Sequence, residues 1–314
     1  TGALPEVESS DMFEDLFRRD YTINVLSICL NPDHWGILLD YFSGLKDLED
    51  GLLRSLHRFS FLDDPTRIIR GVRLGAKLGF CFEEETASMI KETIKTADFS
   101  RLSVERVLSE MQLLFQNKIS EDLFLLLKDY NIFKLLNIGI DIKEIFYEQA
   151  LKLEVYLAEL KEKNYNIEEW ILRMAVFTDL LRPQDIRKWN IKGKYKDILL
   201  VYNKYKGFLI ELDREIEAAE SIELFSPFTN GQLIILMIKA ESKKVKRNIC
   251  NYLEYLQHIE LKINGNDLLE MGMEPGSAVK NVLDSIYKVR LCGKIKTREE
   301  QLKYARNIIN SQLN

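Results

Sequence analysis

Residues 63–77 read Asp63-Asp-Pro-Thr-Arg-Ile-Ile-Arg-Gly-Val-Arg-Leu-Gly-Ala-Lys77, and this stretch decides the fold class. Asp64 followed by Pro65 is a helix start, because the carboxylate satisfies free N–H groups and proline suits the first helical position. At roughly 100° per residue, Arg67, Arg70, Arg73 and Lys77 gather on one side of the wheel, and Ile68, Ile69, Val72 and Ala76 on the other. One face is therefore buried, and the other is a cationic stripe headed by a carboxylate. The same three-and-four recurrence continues at Val104, Val107, Leu108, Met111, Leu114 and Phe115, with Ser103 as cap. The chain is expected to be mainly α, and almost wholly helical after Asp64.

Working outward, Ser10–Leu30 reads as one helix capped by Ser10 or Asp11. Gly36–Asp40 and Leu52–Leu56 read as short strands, joined by a turn at Ser43-Gly44 and a brief helix over Leu45–Asp50. They are the only β structure expected. Further helices are expected over Asp122–Leu136, Glu148–Lys163, Glu168–Leu181, Gln184–Trp189, Lys194–Ala219, Thr229–Ala240, Lys244–Lys262, Asn266–Met271, Ala278–Leu291 and Thr297–Ser311. Breaks at Ser226-Pro227 and Glu274-Pro-Gly276 mark the later boundaries.

The 314 residues are 46% hydrophobic and 30% charged, with only 15 Gly and 6 Pro, which excludes a disordered, collagen-like or turn-dense β chain. Lys and Arg total 44 against 49 Asp and Glu, a net charge of −5, so a nucleic-acid site has to be a local patch. Cys29, Cys81, Cys250 and Cys292 form no CxxC, and His34, His57 and His258 form no HExxH, which speaks against a zinc site or a disulfide framework and for a reducing cytoplasm. No apolar run reaches the ~18 residues of a membrane span.

Asp64 and Arg67 form the most specific chemical signal. A carboxylate acceptor beside a guanidinium donor matches a base edge that offers an amino group next to a ring nitrogen, which cytosine and adenine present. Uracil and guanine place a carbonyl and an N–H there. Arg70 and Arg73, farther along the face, suit a triphosphate. The plainer alternative is a solvated basic face on a capped helix. A second cluster, Arg18-Arg-Asp-Tyr-Thr-Ile-Asn24, brings two arginines, a carboxylate, a hydroxyl and an amide within reach of phosphate and ribose, or of one another as surface salt bridges.

Those two stretches, with Leu39-Asp-Tyr-Phe-Ser-Gly-Leu-Lys-Asp-Leu48, Gly51-Leu-Leu-Arg54 and Arg101-Leu-Ser-Val-Glu-Arg106, resemble motifs B to E of the class II tRNA nucleotidyltransferases and bacterial poly(A) polymerases, in order and spacing. Ile263-Asn-Gly-Asn-Asp-Leu-Leu-Glu-Met-Gly-Met-Glu-Pro-Gly276 and Arg290-Leu-Cys-Gly-Lys-Ile-Lys-Thr-Arg298 are similar to the tail of bacterial CCA-adding enzymes. The resemblance implies the residual α/β part of a nucleotidyltransferase head over 1–60, a helical neck over 61–120, a body over 121–262 and a tail over 263–314. It implies nucleotide contacts at Arg19, Asp20, Asn24, Arg70 and Arg73, base reading by Asp64 and Arg67, and addition of C and A to tRNA 3′ ends from CTP and ATP with Mg²⁺. The body and tail would then meet the acceptor and T arm. Among the basic runs Lys243-Lys-Val-Lys-Arg247, Lys188, Lys192, Lys194 and Lys196, and the tail, the tail residues Lys288, Arg290, Lys294, Lys296 and Arg298 are the RNA candidates. Tyr195 and Tyr287 are candidates for stacking on bases, with core packing as the plainer alternative.

Three departures carry expectations of their own. Asp63 stands where the family has Glu, and Tyr41 where motif C has Pro, which loosens that turn. The family's Asp-x-Asp metal ligands precede motif B, yet only seventeen residues precede Arg18. The Mg²⁺ ligands are therefore expected upstream, and the chain alone is expected not to catalyse. A-only, CC-only or poly(A) addition stay open, as does a non-catalytic RNA-binding module.

Overall fold

The computed structural model describes residues 11–312 with the exception of 101, 163–167, 180 and 188. Arg101 and Lys188 thus lie outside the described residues. The fold is helical: α1 Met12–Phe17, α2 Gly44–Glu49, α3 Ser60–Asp63, α4 Thr66–Leu78, α5 Glu84–Thr96, α6 Val104–Phe115, α7 Glu121–Tyr130, α8 Glu144–Glu162, α9 Glu169–Ala175, α10 Gly193–Glu211, α11 Ala218–Phe225, α12 Asn230–Lys239, α13 Lys243–Glu254, α14 Gly265–Glu270, α15 Ser277–Leu291 and α16 Arg298–Gln312. Two compact units divide at 203/204, within α10.

In the first unit α4 packs against α6 and α7. Ile68, Ile69 and Val72 are wholly buried, as the wheel requires, each stabilising the fold by roughly 2 kcal/mol. Gly79 at φ +71 ends α4 through hydrogen bonds to the Gly75 carbonyl. The strands are two short pairs, β1 Ser27–Ile28 with β2 Leu38–Leu39, antiparallel, and β3 Leu52–Leu53 with β4 Cys81–Phe82, parallel. The two expected strands contain β2 and β3, which belong to different pairs; β1 and β4 fall outside them, because two residues carry too short a pattern to read.

The single helix expected over Ser10–Leu30 is corrected: α1 ends at Phe17. Asp20 takes the Tyr21 N–H on its own side chain, and the Thr22 N–H goes to the Arg54 carbonyl, so the backbone leaves the helical ladder to join the segment before α3. Asn131 at φ +39 splits the expected Asp122–Leu136 helix into α7 and a 3-10 turn over Ile132–Leu136. Residues 183–187 form turns, not a helix, with Asp185 accepting the Arg182 N–H at 2.7 Å. The expected Lys194–Ala219 helix ends at Glu211, and α11 begins separately at Ala218.

In the second unit, α14, α15 and α16 enclose a small core of Ile263, Leu268, Val282, Ile286, Ile295, Ala305 and Ile309. Lys288, Lys294 and Lys296 are exposed on it. Arg290 turns inward and donates to the Ile295 carbonyl at 3.5 Å, and Arg298 pairs with Asp267 of the α14 capping box. No single helix among the described residues is long and apolar enough to cross a membrane.

Candidate nucleotide-binding site

Arg18, Arg19, Asp20, Asn24, Asp64, Arg67 and Arg70 line one cleft of about 330 Å³. The two sequence clusters, over forty residues apart, are thus brought together. Tyr21 makes the junction. It is fully buried, and its hydroxyl donates to the Arg67 carbonyl at 2.9 Å. Gly71 lets it come so close, since a Cβ there would sit 2.0 Å from the Tyr21 oxygen.

Asp20 is 6% exposed and fully engaged. One carboxylate oxygen accepts from Tyr21 N–H at 2.8 Å and Asn24 Nδ2 at 3.0 Å; the other accepts from Arg70 Nη1 at 2.9 Å. Burial alone would raise its pKa, but these hydrogen bonds hold the carboxyl below the usual carboxylate range. Arg70 Nη2 reaches Glu110 of α6 at 3.0 Å, so the guanidinium is fixed between two carboxylates. Arg19 is more exposed and pairs with Asp15 one turn back, at 3.1 Å.

Asp64 caps α4 through its side chain, accepting from Thr66 N–H at 3.1 Å and Thr66 Oγ1 at 2.6 Å. Its second oxygen accepts from Arg106 Nη2 at 2.7 Å. Arg106 belongs to the stretch Arg101–Arg106, and forty-two residues separate it from Asp64, so no spacing links the two. Arg67 donates to Ser60 Oγ at 2.8 Å and to the Arg18 carbonyl. Asp64 and Arg67 therefore share the cleft, and each is held by a different neighbour. Asp63 is 63% exposed and lies 4.0 Å from His57 Nε2. Asp40 accepts from Gly44 and Leu45 N–H at 2.7 and 3.0 Å, so the motif C aspartate caps α2 with Tyr41 in place of proline. Arg73, one turn beyond Arg70, lines a neighbouring cavity instead of this cleft.

The cleft presents four guanidinium groups against two carboxylates that are already hydrogen-bonded to arginine, so its surplus charge suits a polyanion. These residues do not fit the Mg²⁺ that the resemblance implies. Asp11 is used as the α1 cap and Asp15 by Arg19, and among the described residues no three His, Cys, Asp or Glu side chains gather to hold a metal ion.

Residues 3–54 match the family described as the poly A polymerase head domain, and residues 79–141 match the probable RNA and SrmB-binding site of polymerase A. An A-adding tRNA nucleotidyltransferase of Geobacter sulfurreducens is 26% identical over 99% of this chain and 37% of its own length; that of Aquifex aeolicus is 28% identical over 83% and 32%. The chain thus spans about a third of these two relatives. It covers 71% of the Halalkalibacterium halodurans A-adding enzyme, at 28% identity over 98% of this chain. Among solved structures, an apo CCA-adding enzyme superposes with a TM-score of 0.80 at 25% identity, covering 98% of this chain and 73% of that one. The Thermotoga maritima CCA-adding enzyme complexed with tRNA shares the fold, with a TM-score of 0.79 at 24% identity over 95% and 74% of the two chains. The head-domain and RNA-binding-site matches in sequence order, the relatives aligned along nearly the whole chain and the shared fold make this chain similar to the class II tRNA nucleotidyltransferases and poly(A) polymerases.

Proposed function

We propose that this chain binds and selects the incoming nucleotide for template-independent addition to the 3′ end of tRNA, from CTP and ATP. In that reaction the RNA 3′-hydroxyl attacks the α-phosphate, a new phosphodiester forms and pyrophosphate leaves. The observation that carries the reading is the single cleft that joins Asp64 and Arg67 to Arg18, Arg19 and Arg70. Asp64 accepts from the amino group of cytosine or adenine, and Arg67 donates to the adjacent ring nitrogen, exchanging its contact with the Arg18 carbonyl for the base. Uracil and guanine leave both groups facing the wrong partner, which costs roughly 1–3 kcal/mol, or about 5- to 150-fold. Arg18, Arg19 and Arg70 take the phosphates. Mg²⁺ belongs to this reading through the likeness to nucleotidyltransferases. So does a reducing cytoplasm, which suits the four free cysteines.

A second reading, addition of A alone, is favoured by the names of the Geobacter, Aquifex and Halalkalibacterium relatives. Binding of the four nucleoside triphosphates to the chain, by titration calorimetry, tests both. CCA addition expects CTP and ATP to bind alike and ahead of GTP and UTP; A addition expects ATP alone to lead. Asp64→Ala should erase the preference. Equal affinity for all four in the unaltered chain would refute base reading and leave an RNA-binding module.

A further inference from the structure

We propose a second anion site, for a backbone phosphate of the RNA, in the cavity beside Arg73. The cavity measures about 230 Å³ and is bounded by the C-terminal half of α4, the end of α6 and the start of α7. Its polar lining is Arg73, Lys77, Asn117, Lys118 and Ser120, with no carboxylate. Three cations facing one concave space repel one another, and an anion relieves that repulsion.

The partners of these groups leave them available. Arg73 Nε is shielded from solvent with no hydrogen-bond partner, and the guanidinium's one carboxylate neighbour, Glu110, stands 3.7 Å from Nη2, beyond a good hydrogen bond. Glu110 is already engaged by Arg70 through its other oxygen. Lys77 and Lys118 are exposed, and neither makes an ion pair among the described residues. Ser120 caps α7, accepting the Leu123 N–H at 3.2 Å, which leaves its hydroxyl proton free to be donated. The acids of the first α7 turn, Glu121 and Asp122, are outside the lining.

Position favours RNA over a free anion. Arg70 faces the nucleotide cleft and Arg73 this cavity, both on the cationic face of α4 and both beside Glu110. A strand whose 3′ end meets the nucleotide has an upstream phosphate to place within a few ångströms of that end. Asn117, Lys118 and Ser120 also fall in the stretch matching the probable RNA-binding-site family. The inference rests on the proposed action on RNA and adds where its backbone is gripped.

The test uses the full chain with Lys77→Gln and Lys118→Gln together, two exposed changes that leave the nucleotide cleft untouched. Affinity for a fluorescent RNA hairpin with a single-stranded 3′ overhang is measured by anisotropy across a salt series, alongside CTP, ATP and inorganic phosphate. The expected result is RNA binding weakened several-fold, with the slope of log affinity against log salt reduced by one to two, near 0.7–0.9 per lost phosphate contact, and CTP and ATP binding unchanged. Unchanged RNA affinity and slope would overturn the proposal while leaving nucleotide selection standing. Weakened binding of inorganic phosphate with unchanged RNA binding would overturn it in favour of a free-anion site. An unaltered chain that binds no RNA would refute it together with the action on RNA, whatever CTP and ATP do.

Discussion

Gly71→Ala tests how the cleft is assembled. In a free helix this exchange stabilises by about 1 kcal/mol, because alanine loses less backbone entropy. Here the added Cβ would meet Tyr21 Oη at 2.0 Å, Tyr21 Cζ at 2.7 Å and Phe82 Cε1 at 2.6 Å, all below any real carbon contact. Tyr21 has no exposed surface and Phe82 is nearly buried, so neither ring has space to retreat into. Overpacking of this kind costs roughly 1–3 kcal/mol, and losing the Tyr21 hydrogen bond to the Arg67 carbonyl adds about 1. Set against the helix gain, the net loss is about 1–3 kcal/mol in urea unfolding. CTP affinity should fall as well, because Asp20, the neighbour of Tyr21, holds Arg70. Tyr21→Phe removes the atom in closest contact, so the double variant should lose less than the two single losses summed. A neutral or stabilised Gly71→Ala with unchanged CTP binding would refute the argument that this close approach sets the cleft.

Arg106→Gln removes the arginine from Asp64; the pair is more than half exposed on the arginine side, so stability should change by less than about 1 kcal/mol. The preference for CTP and ATP over UTP and GTP should nonetheless drop several-fold in the same calorimetric assay, and a full preference would dismiss Arg106 as a positioning residue. Arg173→Met strikes a buried junction: the guanidinium is 2% exposed, binds Glu154 and Glu169 at 2.6–3.0 Å and donates to the Phe115 and Gln116 carbonyls. Leaving those groups unpaired should cost roughly 3–5 kcal/mol in urea unfolding. Lys239, 4% exposed, has its pKa pulled down to about 7 by burial. Above that value the unfolded chain holds a proton that the native chain lacks, up to the unfolded lysine pKa near 10.4, so stability should rise with pH in that window by about 1 kcal/mol per unit. Lys239→Met should remove that part of the rise, and an identical pH profile would show that the group stays charged.

How much was legible in the sequence follows from the range of each force. Periodicity acts within one helix, so the buried face of α4, its acidic start and helices such as α6, α12, α15 and α16 could be read from residue spacing. Where a single side chain or backbone turn ended a helix, as Asp20 does after α1 and Asn131 after α7, the apolar pattern ran on and concealed the break. Strand partners escape the sequence for a related reason, since a two-residue ladder such as Leu52–Leu53 with Cys81–Phe82 joins segments far apart in the chain.

The cleft shows the same division at the level of charge. A helical wheel gathers Arg67, Arg70 and Arg73 on one face, but whether a guanidinium is held or available depends on partners from distant segments. Asp20 and Glu110 reach Arg70 across fifty and forty residues, and Ser60 and the Arg18 carbonyl hold Arg67. Arg73 is the exception, with Glu110 too far to hold it well. Fixing Arg70 between two carboxylates reduces the rotamer entropy it loses when a phosphate arrives, while the carboxylates offset part of its charge. Such an arrangement trades affinity for geometry, because the carboxylates that fix the guanidinium also compete for the charge an anion would meet.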